Sequence, residues 1–307
     1  MTEPRQLYSI EADLTQVTLG LPVLAAISGF TDAGGTVSQV VDNIFANYNT
    51  ELLIQFNNDD LLDYRARRPV MFFERDHFVS YEPPTLGIYL VHDEVGAPFL
   101  LLHGYEPDFK WEAFADSIED IFAELAVSSF TWVHSIPFPL PHTRPIGFTV
   151  SGNRQDLIDA YSEWKPSTQV PGNVVHLLEF RLSKAGLPFL GFVLMVPHYL
   201  SESDYPQAAI DAFEKITAAT GLVFRTDPLR EEQARFITKL NSQMEENADL
   251  QRMVQNLEVG YANNEHGFGR AGRTTPTPRV PTADEIAAEL EDYLATRRKN
   301  DTDEGDA

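Results

Sequence analysis

The chain has 307 residues, 43% of them hydrophobic, and a formal net charge of −23. That length and apolar content suffice for one large α/β domain with an appendage, or for two domains. The charge argues against nucleic acid or an anionic membrane as the main partner, and the absence of cysteine excludes disulfides, thiolate chemistry and cysteine-based zinc sites.

Met1 to Ile10 has no apolar segment of the secretion-signal kind. The longest apolar run, near Phe189 to Val196, is too short to cross a bilayer. A cytoplasmic protein is expected. Leu7 to Thr18 reads as an edge strand, followed by a buried-type strand over Pro22–Ser28. Val37, Val40, Val41, Ile44, Phe45 and Tyr48 then mark one face of a helix. Glu51–Phe56 is a second core strand, and residues 57–69 form a polar loop or short helix. Val70–Glu74 and His77–Tyr81 flank Arg75-Asp76 as a hairpin. Strands follow at Leu86–His92 and Phe99–His103, then an amphipathic helix from Trp111 to Ala126, a strand at Phe130–Ile136 and another at Gly147–Ser151. Helices are predicted over Gln155 to Trp164 and from Asn173, as cap, to Gly186. Pro188–Val196 reads as a central strand and Tyr205 to Thr220 as a helix.

Strands alternating with helices of this length predict an α/β fold, a mostly parallel sheet covered by helices on both faces. Residues 1–225 are assigned to that core, and 226–262 to a helical extension whose seam Asn247 and Gln251 interrupt. Residues 263–281 read as a linker, 282–299 as an amphipathic helix and 300–307 as an acidic disordered tail.

The Gly29-Phe30-Thr31-Asp32-Ala33-Gly34-Gly35 turn joins the first core strand to the first helix, the position where open α/β sheets place sites. Thr31 or Asp32 can cap the helix. Gly34 and Gly35 imply close approach of something, either the helix on its own sheet or a ligand. A phosphate would suit the helix N-terminus, but Asp32 already places a carboxylate there.

This turn, together with Phe56-Asn-Asn-Asp-Asp-Leu-Leu-Asp-Tyr-Arg-Ala-Arg-Arg-Pro69 and Pro141-His-Thr-Arg-Pro145, resembles the proteasome assembly chaperone family of the second-chaperone type. The likeness is to its actinobacterial branch, sometimes labelled a predicted ATP-grasp enzyme, and covers roughly Pro22 to Phe224. It implies a phosphorylase/hydrolase-like fold, self-association and a chaperone or scaffolding role, with a protein partner that includes proteasome components. Some proteasome-binding proteins end in a hydrophobic-Tyr-any-residue tail. This chain ends Gly305-Asp306-Ala307, so docking through such a tail is not expected.

Enzyme signatures are sparse. The chain has no Gly-rich loop with a Lys for phosphates, no G-x-S-x-G and no H-E-x-x-H. Gly267-Phe-Gly-Arg-Ala-Gly272 matches G-x-G-x-x-G in letters but follows no strand, and reads as linker. Asp59, Asp60 and Asp63 can hold Mg²⁺ in principle, with a solvated acidic loop the favoured reading. His103, His134 and His142 each read as structural histidines. No cofactor and no metal are expected.

One constellation remains as a candidate ligand or interface rim: Gly29, Thr31, Asp32, Gly34 and Gly35 after the first core strand, Asp59, Asp60 and Arg65 after the second, and His142, Thr143 and Arg144 after a later one. If those strands run parallel, their loops converge on one edge. There Arg65 or Arg144 can pair with Asp32, Asp59 or Asp60, or hold an anion. Two function classes follow. One is a non-enzymatic scaffolding protein, a homo-oligomer such as a trimer, holding a partner through its surface or its C-terminal helix. The other is a small-molecule enzyme or sensor that uses the rim.

Overall fold

A computed structural model of the chain describes residues 7–263. The expected linker apart from Asn263, the C-terminal helix, the acidic tail and the G-x-G-x-x-G match lie outside the described residues. The strands are β1 (Tyr8–Ile10), β2 (Pro22–Ser28), β3 (Thr50–Phe56), β4 (Val70–Glu74), β5 (His77–Glu82), β6 (Gly87–His92), β7 (Pro98–Tyr105), β8 (Ser129–Phe138), β9 (Gly147–Gly152) and β10 (Phe189–Pro197). The helices are α1 (Thr36–Asn47), α2 (Asn58–Leu61), α3 (Trp111–Glu124), α4 (Gln155–Tyr161), α5 (Val174–Ala185), α6 (Pro206–Thr220), α7 (Asp227–Glu246) and α8 (Ala248–Ala262). Residues 7–165 and 170–263 belong to one compact unit, and Pro166–Gln169, which forms neither helix nor strand, belongs to another.

Eight strands make the main sheet, in the order β1-β3-β6-β7-β2-β8-β10-β9. β7, β2, β8 and β10 are parallel neighbours. The antiparallel pairings β3–β6 and β6–β7 return β3 to the same direction, so five of the eight strands point one way. This is the mostly parallel, helix-covered sheet that the alternating pattern implies. Side chains alternate between faces: on β2, Leu24 and Ala26 pack with α1 and α6, while Val23 and Ala25 pack with α3 and α5. Burial on both faces is why the central strands read as continuous apolar runs.

The helix ends follow from their residues. Asn173 caps α5 by accepting from His176 N, and the His176 ring accepts from Asn173 N in return. Pro206 opens α6, where a missing N–H costs nothing, and Gly186 and Gly221 end α5 and α6 in the left-handed conformation. Asn247 ends α7 and caps α8, accepting from Asp249 N and Leu250 N.

Two expectations need correction. The expected strand over Leu7 to Thr18 shrinks to Tyr8–Ile10, because Asp13 accepts from Thr15 N at 3.0 Å and starts a short 3₁₀ turn. β10 is not central. Antiparallel β9 flanks it on one side, which leaves it one place from the edge.

The hairpin β4–β5 forms its own two-stranded sheet, with every residue of both strands exposed. Phe72 and Phe78 are each 60% exposed, and Val70, Met71, Phe73, Val79 and Tyr81 are exposed with them.

Candidate functional site

β2, β3, β7, β8 and β10 deliver their loops to one edge of the sheet, although β6 and β7 stand between β3 and β2. β2 pairs with β8 only from Pro22–Ser129 to Ala25–Trp132. The two then separate and rejoin through a single bridge, Asp32–Ser135. The Gly29–Gly35 turn fills that split.

Asp32 is the cap, not Thr31. Its carboxylate accepts from Val37 N at 2.8 Å, Ser38 N at 3.0 Å and the Ser38 hydroxyl at 2.7 Å. Two of the free N–H groups of α1 are thereby satisfied by the chain's own anion. Gly34 and Gly35 have φ of 70° and 56°, so they precede the helix instead of weakening its first turn. What approaches them is the segment after β10: Gly34 N donates to Ser201 O and Tyr205 N to Gly34 O, each at 2.8 Å. A Cβ on Gly35 would lie 2.6 Å from Asp204 Oδ1. The glycines serve close packing within the chain.

None of the expected ion pairs of Arg65 or Arg144 with Asp32, Asp59 or Asp60 forms. The Arg144 guanidinium binds Glu258 of α8 at 2.7 Å and lies over the Tyr261 ring, and the Thr143 hydroxyl bonds the same carboxylate. The His142 ring is 2.6 Å from the Tyr199 hydroxyl, and burial lowers its pKa. Asp60 pairs with Lys110, Asp59 accepts from the Tyr64 hydroxyl at 3.2 Å, and Arg65 is exposed without an ion pair among the described residues. No group of three or more acidic or His side chains among the described residues is arranged to hold a metal.

Residues outside the expected set gather at the split. His134 of β8 lies against Phe30, ring centroids 5.1 Å apart. Burial, then His176, hold its pKa down at about 4 against the pull of Asp32, so the imidazole is neutral at neutral pH. Glu106 follows β7 and accepts from Val174 N at 2.7 Å, at the start of α5, and burial raises its carboxyl. Arg67 bonds Asp108 at 2.6 Å, and its Nη1 is 3.7 Å from where a Cβ on Gly29 would stand. Only three buried side-chain atoms among the described residues lack a hydrogen-bond partner, and two of them, Arg67 Nη1 and His134 Nε2, flank Gly29–Phe30. Such orphans are costly, about 1–3 kcal/mol each, and call for an acceptor or donor from outside. The signals were a His inside an apolar strand and an Arg in a basic run, each ordinary alone.

The profile of the PAC2 family matches residues 26–244. The chain belongs to the PAC2 family. As a PAC2 member it resembles a Mycobacterium tuberculosis protein of unknown function at 35% identity, with 85% of this chain and 90% of that one covered and a TM-score of 0.79. A Corynebacterium glutamicum protein of unknown function is 31% identical over 85% of this chain and 98% of its own, with a TM-score of 0.79. A proteasome-assembly chaperone homologue of Mycobacterium tuberculosis, 20% identical over 76% of this chain and all (100%) of its own, shares the fold with a TM-score of 0.70. No curated protein matches the chain. The family resemblance carried by the three sequence motifs is borne out.

Proposed function

We propose that this PAC2 protein is a non-enzymatic, assembly-chaperone-like scaffold that acts in the cytoplasm as a homo-oligomer and holds a protein partner, with proteasome subunits as the partner class. The observation that carries the reading is the β4–β5 hairpin. A lone two-stranded hairpin is marginal in water, and an exposed apolar surface of this kind marks an interaction site. Its occupant is a second copy of the chain. Residues 64–82 hold four arginines against three acids in a chain of net charge −23, so the hairpin and the acidic body of another copy are complementary. A hairpin laid on a different patch of its neighbour closes either as a reciprocal two-fold dimer or, head to tail, as a ring of three or more copies. The family membership and the assembly-chaperone homologue with the same fold support the partner class. The test is to mix the purified chain with the proteasome subunits of its own host and follow co-sedimentation and the rate of proteasome assembly. Faster assembly through a co-sedimenting species is expected, and the absence of both effects would overturn the reading.

A second reading is favoured by the orphaned Arg67 Nη1 and His134 Nε2. These groups suit a small polar ligand that carries acceptors, held at the β2–β8 split. A melting shift of several degrees with a phosphate or nucleotide, abolished by Arg67→Gln, would establish it. No shift across such a screen removes it.

A further inference from the structure

A pocket of about 480 Å³ opens at the root of the hairpin, lined by Tyr8, Tyr64, Tyr81, Gln55 and Asp59 among others. The three tyrosines come from different elements: β1, the loop after α2, and β5. The Tyr8 ring is held edge-on to buried Phe56, centroids 5.9 Å apart. The Tyr64 hydroxyl donates to Asp59 Oδ1 at 3.2 Å, and Tyr81 lines the same pocket. The neighbouring acids are engaged otherwise, Asp60 by Lys110 and Asp63 by the N–H of Arg65. Asp59 has no cationic partner among the described residues.

Aromatic faces attract cations through their quadrupole, and a carboxylate beside them adds direct attraction. Among the described residues no cationic side chain lines the pocket, so there an anion would meet only repulsion from Asp59. An uncharged apolar group would leave the carboxylate and hydroxyls desolvated without return. The planar guanidinium fits best, because it stacks on a ring while donating to a carboxylate and an amide carbonyl such as that of Gln55. We propose that this pocket receives an arginine side chain of a partner protein, with Tyr8, Tyr64 and Tyr81 as its walls and Asp59 as its counter-charge. The proposal rests on the partner-binding half of the proposed function and is independent of self-association.

The probe is N-acetyl-arginine amide, titrated into full-length chain carrying isotope-labelled tyrosine and followed by NMR. Saturable shifts of the Tyr8, Tyr64 and Tyr81 ring signals are expected, absent with N-acetyl-norleucine amide and weakened tenfold or more by Asp59→Asn. Tyr64→Phe, which keeps the ring and removes the hydroxyl, should also weaken binding and serves if Asp59→Asn misfolds. Equal binding of the norleucine compound, unchanged binding in both variants, or no saturable shift overturns the proposal. Sedimentation of the same samples reads self-association separately, so failure of the pocket and failure of the oligomer are distinguishable.

Discussion

The Ser135 hydroxyl donates to Asp32 Oδ1 at 3.1 Å across 103 residues of chain, on the carboxylate that also caps α1. One side chain thus fastens a turn, a helix and a strand where β2 and β8 have parted. Asp32→Ala removes the cap and leaves the Ser135 hydroxyl without its acceptor. A loss of about 2–3 kcal/mol in urea unfolding is expected, with Asp32→Asn losing less. An unchanged midpoint for Asp32→Ala would show that the turn is held by something else.

Gly34 tests what the glycines are for. A Cβ there would lie 3.1 Å from both Tyr205 Cβ and Val196 Cγ1, at φ of +70°. Gly96 has a similar φ of +83° with nothing near its missing Cβ. Both alanine variants bear the left-handed backbone strain, about 1 kcal/mol, but only Gly34→Ala adds the clash. Gly34→Ala should therefore unfold at clearly lower urea than Gly96→Ala, and equal midpoints would remove the packing explanation.

Buried His134 and half-buried Asp211 give opposite pH dependence. His134 is held at about 4 instead of its ordinary 6.5 by burial, so its contribution is complete above pH 6.5 and is lost as pH falls from 6.5 towards 4. Burial pushes Asp211 up from 3.8 to about 6, so stability is lost as pH rises from 3.8 to 6. Each effect is on the order of 3 kcal/mol. Measured by urea unfolding from pH 4 to 7, wild type minus His134→Gln should rise with pH, and wild type minus Asp211→Asn should fall. Slopes of one sign would contradict the burial of one of them.

The fold was legible because its elements are periodic. α1 shows its face through Val37, Val40, Val41 and Ile44, all buried, and β2 shows its double burial as an unbroken apolar run. What such a run does not carry is its place in the sheet. β10 looks central by composition, yet β9 folds back beside it through pairings that only tertiary structure sets. The rim was legible as an edge but not as a network. Arg144 finds its acid 114 residues later in a polar helix whose spacing marks no single Glu, and His134 becomes unusual only once Phe30 covers it.

Arg144 fixes α8. Arg144→Ala removes the Glu258 pair and the Tyr261 contact, both partly exposed, so global stability should change by less than about 1 kcal/mol. Amide exchange within Ala248–Ala262 should instead accelerate while that of α6 does not. Unchanged exchange in α8 would mean that its docking depends on other contacts.

Self-association through the hairpin is read most directly by sedimentation equilibrium of wild type against Phe72→Ser/Phe78→Ser. Wild type should sediment at a multiple of its 34.5 kDa chain mass, and the double variant at 34.5 kDa with unchanged circular dichroism. A wild-type monomer, or an oligomer that survives loss of both rings, would contradict it.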